Sequence, residues 1–418
     1  MKKMIKHVLP VTVAVTMAAG AITAYAAETK TGPGTPYTSD VMERLKDNVM
    51  EYGEIEMLID TYNTTLKNLK SNYSENKDSM KDIEKVKDQI QSGSEQLLDY
   101  SNLLSNQAAQ MESLIGFQLP AAMGGMSVTP SAYAECVYNA VLLENQAEQL
   151  LLSADQLTEM SPEMMKIQMV ESPRAMLISG AQSLLIAYDN IRTQKEMLVD
   201  SIALAEAGVQ TTERLAAVGM GTVADVNAAK QGLSSANAGL ITLEANEVNL
   251  RQQLCNMLGW AYDASPEIPA VPAPDLTRIE GMNLEADTKK AIDNNFTLKY
   301  NRLSEDTLTD GSVQKENLYR TMEAEKAEIA TSMTKLYHAV LQARNELYNA
   351  QTAMVTEDQN LLTADRKWML GMISKMEHRQ AQNACNIART NVKVAELSLL
   401  QAMENYDWAV KGNLSLSQ

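Results

Sequence analysis

The sequence predicts an all-α protein built from long coiled-coil helical hairpins in two tandem structural repeats. Aromatic residues make up only 5% of the chain, whereas the helix formers Ala, Leu, Met, Glu and Gln are abundant. Helix-breaking residues are rare in the second half, which has no proline after Pro274 and glycine only at positions 281, 311, 371 and 412. A heptad pattern of apolar residues also occurs twice, 152 residues apart.

The first element, residues 1–26, has the features of a signal peptide. Lys2, Lys3 and Lys6 form a basic start, an apolar run follows at residues 8–21, and an A-x-A cleavage motif ends at Ala26. The apolar run is too short for a permanent membrane anchor. We therefore expect cleavage after Ala26 and an exported protein.

The first repeat, residues 27–260, is predicted to open with a short helix and to close with a long hairpin. Its opening stretch LKDNVMEYGEIEML parallels IDNNFTLKYNRL of the second repeat, which aligns Asn48 with Asn295. Unlike the second repeat, it carries a helical insertion at about residues 75–170. An apolar, non-helical loop, Leu114–Pro130, lies within this insertion.

The closing helix of each repeat carries a heptad seam with alternating steps of four and three residues. In the last helix the seam consists of Ala381, Cys385, Ala388, Val392, Ala395, Leu399, Ala402, Tyr406 and Ala409. The same positions shifted back by 152 residues are Ala229, Leu233, Ala236, Leu240, Leu243, Glu247, Leu250, Leu254 and Met257. Eight of these nine residues are apolar, which indicates an internal duplication.

A proline-rich linker, residues 261–280, is predicted to be extended and to separate the two repeats. The second repeat, residues 281–412, divides into a short helix, a turn at Asp310-Gly311, a helix of roughly 58 residues, a turn at Gly371 and a helix of roughly 37 residues. At 1.5 Å per residue the two long helices measure about 87 and 55 Å. Residues 413–418 form a tail.

The stretch Gly219-Met220-Gly221-Thr222-Val223-Ala224 fits the G-x-G-x-x-[GA] form of a dinucleotide-binding loop. Such a loop follows a strand and opens a helix. Here the preceding residues have helical spacing, and the duplicate at Gly371 lacks the second glycine. The sequence therefore predicts a helix-to-helix turn at this position, with no cofactor.

This turn has a counterpart that matches it position for position. Arg in the last turn favours the negative helix end, Gly takes the left-handed conformation that stops the helix, Thr or Ser caps the next helix, and Asp or Glu completes a capping box. The two sets are Arg214, Val218, Gly219, Thr222 and Asp225, and Arg366, Leu370, Gly371, Ser374 and Glu377.

The doubled motif R-x3-[LV]-G-x2-[ST], with the heptad seams and the proline-rich linker, resembles the TolC-type outer-membrane efflux protein family. The resemblance implies a TolC-like α-barrel protomer with little or no β structure, assembled as a homotrimer. It implies a conduit for efflux or type I secretion, completed by a membrane-fusion-type adaptor protein and an inner-membrane transporter. By the same resemblance, the ten turn residues form the hairpin tips that dock the adaptor, and the protein belongs to the outer membrane.

The sequence departs from this family where membrane-spanning strands are expected. Residues 304–317 are polar and charged, with no lipid-facing alternation. The apolar loop offers Phe117, Leu119, Met123 and Met126 as a possible membrane or oligomer contact, and disorder is the third alternative. A coiled-coil structural or interaction protein of the cell envelope, without membrane-spanning strands, is therefore the alternative function.

Other functions find little support in the sequence. The formal net charge of −17 disfavours binding to nucleic acid. Cys136, Cys255 and Cys385 are an odd number and lie far apart, so we expect buried thiols without disulfides. The 26 methionines are scattered as core filler and, like His338 and His378, form no metal-binding pattern. No catalytic motif is present, and the acidic residues at 323, 325 and 328 are typical of a solvated helix face, with a cation-selective lumen as the alternative.

Overall fold

The computed structural model describes residues 39–76, 90–99, 161–261 and 263–414, with Tyr37 and a few isolated positions between 101 and 148. Residues 38–418 form one unit, and almost all of the other, residues 1–37, lies outside the described residues. The predicted signal peptide, the four apolar loop residues Phe117, Leu119, Met123 and Met126, and Cys136 also lie outside them.

The described chain is helical, as predicted. Its helices are α1 (Ser39–Arg44), α2 (Ile55–Tyr62), α3 (Thr64–Asn76), α4 (Pro162–Lys166), α5 (Ser172–Ala217), α6 (Val223–Leu258), α7 (Leu276–Glu280), α8 (Leu284–Asn294), α9 (Phe296–Thr307), α10 (Val313–Met369) and α11 (Lys375–Val410). A 3-10 turn (Tyr52–Glu54) precedes α2, and a π-helical turn (Ile167–Glu171) joins α4 to α5. In these residues the extended structure amounts to one isolated bridge, between Val49 and Glu267. None of the described helices has the length and apolar character needed to cross a membrane.

The four long helices pack as an open layer in the order α6, α5, α11, α10. The hairpin partners α5 and α6 pack together, as do α10 and α11, and α5 packs against α11 between them. Side-chain bonds mark each junction: Lys195 pairs with Glu247, Asn386 donates to Asp200 over 2.9 Å, and Arg389 to Asp358 over 2.9 Å. The outer helices of the layer are therefore α6 and α10.

Both heptad seams lie inside their hairpins, as predicted. None of the eighteen seam positions is exposed, and Ala236, Leu250, Leu254, Cys385 and Leu399 are fully buried. The one polar seam residue, Glu247, has partners on α5, because Lys195 forms an ion pair with it and the Tyr188 hydroxyl lies 3.4 Å from its carboxylate. The small alanine side chains allow the close helix packing that the sequence predicted.

The helix lengths also agree with the sequence. Helix α10 has 57 residues and α11 has 36, close to the predicted 58 and 37. Gly311 adopts a φ of 75° in the turn before α10, and the Ser312 side chain then caps the helix by accepting from the N–H of Lys315.

An asparagine breaks the helical pair that opens the first repeat. Asn63 separates α2 from α3, and its side-chain oxygen accepts from the N–H of Leu66 over 2.8 Å. Its amide donates over 2.9 Å to the carbonyl of Met257, near the end of the first hairpin. Asn63 is buried, so it joins the opening helices of the repeat to the closing one.

Asn295 performs the same task in the second repeat. It separates α8 from α9, accepts from the N–H of Leu298 over 3.1 Å and donates to the carbonyl of Leu414 over 3.1 Å. The alignment of Asn295 with Asn48 was therefore wrong, since Asn48 is exposed and caps no helix. The structural counterpart of Asn295 is Asn63, fifteen residues further along the chain.

Each repeat closes at a glycine that approaches the opening helices very closely. Gly259 has a φ of 93°, and a side chain there would overlap the Cβ of Tyr62. Gly412 has a φ of 100°, and an added Cβ would overlap the carbonyl oxygen of Asn294 and lie 2.5 Å from its carbon. Both positions combine a left-handed backbone with a close contact, so only glycine fits them.

The described cysteines are free and buried, as predicted for Cys255 and Cys385. The prediction of a solvated acidic face holds for Glu323, which is exposed and paired with Lys326, but is wrong for Glu325. Glu325 is half-buried against α9 and accepts from the Asn301 amide over 2.9 and 3.0 Å. Burial raises the pKa of Glu325 above the ordinary glutamate value.

Candidate functional site

The first hairpin turn is a Schellman motif centred on Gly219. The N–H of Met220 donates to the carbonyl of Leu215 over 2.8 Å, and the N–H of Gly219 donates to that of Ala216 over 3.1 Å. Gly219 has a φ of 77°, the left-handed conformation that this motif requires. The bonds satisfy carbonyls that the end of α5 would otherwise leave without a partner.

The second turn repeats this geometry at Gly371, where φ is 69°. The N–H of Met372 donates to the carbonyl of Lys367 over 2.8 Å, and the N–H of Gly371 to that of Trp368 over 2.9 Å. The two motifs are therefore equivalent bond for bond.

A capping box fixes the start of the helix after each turn, as the sequence predicted. At α6 the Thr222 hydroxyl accepts from the N–H of Asp225 over 3.1 Å, and the Asp225 carboxylate accepts from the N–H of Thr222 over 2.9 Å. At α11 the Ser374 hydroxyl accepts from the N–H of Glu377 over 3.2 Å, and the Glu377 carboxylate accepts from the N–H of Ser374 over 2.7 Å.

The capping bonds also explain the pKa shifts of the two carboxylates. Hydrogen bonds from the side chain and then the backbone of Thr222 lower the pKa of Asp225, and those from the backbone and then the side chain of Ser374 lower the pKa of Glu377. Both groups therefore stay ionised at neutral pH and accept the capping bonds as carboxylates.

The two turns lie at the same end of the layer. The Ser201 hydroxyl on α5 lies 3.5 Å from the Asn383 side chain on α11, 18 residues before Gly219 and 12 residues after Gly371. At 1.5 Å per residue these separations are about 27 and 18 Å, so the turns end within about 9 Å of the same level. The two turns therefore lie at the same end of the four long helices.

Large apolar side chains project into solvent at both turns. Met220 is 78% exposed and Met369 is 82% exposed. The exposed large apolar residues of the two turns are Leu215, Val218, Met220, Val223, Trp368, Met369, Leu370 and Met372. We call this set the apolar tip.

The arginines of the two turn motifs lie beside the apolar tip. Arg214 and Arg366 are exposed, and in the described chain neither forms an ion pair or a side-chain hydrogen bond. Their guanidinium groups are therefore available to a partner.

The two turns differ in the bond that ties their helices together. In the first hairpin Lys230 forms an ion pair with Glu213 over 2.7 Å. In the second, the Nε2 atom of His378 lies 2.6 Å from the Asp365 carboxylate, and its ring stacks on Trp368 with centroids 5.5 Å apart. His378 is thus a packing residue, and the described residues contain no group of side chains suited to hold a metal.

Sequence reasoning found the turn residues but missed the apolar tip. The interpretation of methionine as core filler is wrong for Met220, Met369 and Met372, which are exposed. One signal was available, because these residues flank a glycine at a predicted solvent turn, where no core exists for them to fill.

The fold and the twin turns define a class of helical protein with two long hairpins whose turns share one end. No protein-family model matches the sequence, and no curated protein matches it. The chain does resemble solved structures of outer-membrane channels.

Three of these structures illustrate the similarity. The outer membrane protein VceC of Vibrio cholerae is 13% identical, with 79% of this chain and 96% of that chain covered and a TM-score of 0.40. The CmeC outer membrane channel of Campylobacter jejuni is 12% identical, with 81% and 87% covered and a TM-score of 0.36. The transmembrane channel protein CusC is 11% identical, with 77% and 97% covered and a TM-score of 0.44.

Proposed function

We propose that this protein is an exported component of an efflux or type I secretion conduit in the cell envelope. Its two hairpin turns would together dock a membrane-fusion-type adaptor protein, which connects it to an inner-membrane transporter. The observation that carries the proposal is the apolar tip, formed by two equivalent turns at one end of the layer. The turn motif's resemblance to the TolC-type family supplies the kind of partner.

The geometry of the tip suits binding. Removal of the exposed Met, Leu and Trp side chains from water by a partner lowers the free energy of the complex. Methionine is flexible and adapts to the shape of the surface that it contacts. The Schellman motifs and capping boxes hold the backbone in one conformation, so little ordering entropy opposes association.

The arginines add specificity to this apolar contact. Arg214 and Arg366 have no partners in the described chain, and arginine is enriched among the residues that dominate binding energy. A carboxylate or a helix C-terminus on the adaptor would satisfy their guanidinium groups.

The rest of the assembly follows from the same proposal. The signal peptide at residues 1–26 would direct the chain out of the cytoplasm. The protein would act as a homo-oligomer, a trimer by family resemblance, with an outer-membrane location by the same resemblance. Its task is assembly and passage, without a cofactor.

Photo-crosslinking in the native cell tests the docking. A photoreactive residue placed at Met220 or Met372 should crosslink to a membrane-fusion-type adaptor, identified by mass spectrometry. The matched control position is Val199, which is also apolar and exposed but lies on α5 away from the turns. Equal crosslinking at Val199, or no adaptor at either turn, would contradict the proposal.

Variants provide a second test that separates docking from folding. Met220→Asp with Met372→Asp should abolish adaptor pull-down and leave helical circular dichroism unchanged, because both side chains are exposed. Val199→Asp should leave both unchanged. Electron microscopy of the purified protein should show a hollow particle, whereas a solid monomer would favour the alternative function, a coiled-coil structural or interaction protein of the cell envelope.

A further inference from the structure

The two turns differ in charge, although their backbones are equivalent. Residues 365–379, around the second turn, contain four Lys or Arg residues and two acidic residues. The matching residues 213–227 of the first turn contain one basic and two acidic residues. The four cations of the second turn are Arg366, Lys367, Lys375 and Arg379. This local positive charge is opposite to the formal net charge of −17 of the whole chain.

The four cations are free to meet a partner. All four are exposed, and within the part of the chain that the structure describes none of them forms an ion pair or a side-chain hydrogen bond. The acidic residues of this turn are already engaged, since Asp365 lies 2.6 Å from the His378 ring and Glu377 accepts from the N–H of Ser374. The positive charge of the second turn is therefore not neutralised by ion pairs among the described residues.

Helix stability does not account for the whole set of cations. Arg366 lies in the last turn of α10, where a cation favours the negative end of the helix. Lys375 is the first residue of α11, beside the positive end of that helix, where a cation is unfavourable. A basic residue that costs helix stability at an exposed turn is better explained by an external partner.

The apolar surface is also larger at the second turn. Trp368 and Met369 occupy the positions that Ala216 and Ala217 hold in the first turn. The Trp368 ring stacks on His378, with centroids 5.5 Å apart, which limits the orientations available to it. Tryptophan and arginine are enriched among the residues that dominate binding energy. The second turn therefore combines more apolar area with more positive charge than the first.

The relative height of the turns favours a protein partner over a membrane surface. Basic and apolar side chains together also suit an anionic lipid bilayer. However, from the common level of Ser201 and Asn383 the first turn extends about 27 Å and the second about 18 Å. A flat bilayer would thus meet the less basic first turn before the second. A protein segment can fit beside the projecting first hairpin and reach the second turn.

We propose that the second turn is the principal contact and that it binds an acidic amphipathic helix of the partner. The carboxylates of this helix would pair with the four cations, and its apolar side chains would cover Trp368 and Met369. Complementary charge of this kind selects the partner and speeds association. The inference rests on the proposed function, since it names the chemistry of the docking segment, and it adds that the two turns bind unequally.

Fluorescence anisotropy tests the charge selection with the purified full chain and a labelled helical peptide of Glu and Leu at amphipathic spacing. Lys375→Glu with Arg379→Glu should weaken binding about tenfold or more at low ionic strength, and added salt should reduce this difference. Circular dichroism should not change, because both residues are exposed and acidic side chains suit the start of α11. The matched control is Lys335→Glu with Lys393→Glu, two exposed positions on α10 and α11 away from the turn, which should bind as wild type.

A second comparison tests the inequality of the turns. Arg366 and Arg214 occupy equivalent positions, so charge reversal costs the two helix ends the same. Arg366→Glu should weaken peptide binding more than Arg214→Glu does. Equal losses, or equal binding of a peptide with Lys in place of Glu, would overturn the inference.

Two further outcomes separate this inference from the proposed function. Adaptor crosslinking at Met220 or Met372 that survives Lys375→Glu with Arg379→Glu would overturn the inference and leave the proposed function standing. Absence of adaptor crosslinking in the wild type, with selective peptide binding retained, would overturn the proposed function alone. Co-sedimentation of the chain with phosphatidylglycerol vesicles that is lost in the same double variant would replace the protein partner by a membrane and overturn the inference.

Discussion

Substitution of the closing glycine should cost far more stability than substitution of the turn glycine in the same repeat. Gly371 and Gly412 both have positive φ, 69° and 100°, so an alanine side chain at either position is strained by about 1–2 kcal/mol. At Gly371 no atom lies within 4 Å of the added Cβ. At Gly412 the Cβ would overlap the Asn294 carbonyl and lie 3.0 Å from the nitrogen of Asn295, so forced repacking adds about 1–3 kcal/mol more.

Urea unfolding followed by far-ultraviolet circular dichroism measures the difference. Gly371→Ala should lower the free energy of unfolding by about 1–2 kcal/mol, and Gly412→Ala by about 2–5 kcal/mol. The first repeat offers the same comparison. An added Cβ at Gly219 would meet open space, whereas one at Gly259 would overlap Tyr62. Equal losses at Gly371 and Gly412 would show that the closing glycine does not touch the opening helices, and would refute the structural register of the repeats.

Three further predictions concern single side chains. Asn295→Ala should lose about 2–4 kcal/mol of unfolding free energy in the same assay, since it removes a helix cap and the amide that donates to the part-buried carbonyl of Leu414. The exposed Asn48→Ala is the control, and equal effects would restore the alignment of those two residues. Glu377→Gln should reduce helicity at neutral pH. Because the folded-state pKa of Glu377 is lowered, the stabilisation by its carboxylate is present above the ordinary glutamate pKa and is lost as the pH falls through the folded-state pKa. A difference in circular dichroism between wild type and variant that persists at about pH 2 would contradict this prediction. Burial, and then the hydrogen bond to Asp358, raise the pKa of Cys385 to about 11. In a Cys136→Ser background, iodoacetamide at about pH 8 should therefore label Cys385 only after unfolding. Rapid labelling of the native protein, detected by mass spectrometry, would contradict this prediction.

The hairpins were predictable because their determinants are local. Heptad spacing, a glycine and a capping residue act within a few residues of one another, so the sequence located the turns at Gly219 and Gly371 and the length of α10 to within one residue. The adaptor-docking role of these turns rests on family resemblance and stays a proposal.

The opening of each repeat was harder to predict, because its asparagine acts over a long distance. Asn63 bonds to Met257, 194 residues away, and the local sequence does not show this contact. A local signal for the correct alignment was nevertheless present and was missed, because residues 63–67, NTTLK, match residues 295–299, NFTLK, at four of five positions. The prediction that Glu325 lies on a solvated face was wrong because its hydrogen-bond partner, Asn301, lies on a different helix.

The sequence by itself determined the helices, their seams and the two capped turns, since each depends on bonds and packing between residues near in the chain. Only the tertiary structure decided that the turns share one end, that α6 and α10 are the outer helices, and that Met220 and Met372 face water. Heptad spacing states that a helix face is apolar, but the cover over that face is supplied by helices distant in sequence. Exposure is therefore a property of the assembled layer, and the apolar tip became visible only there.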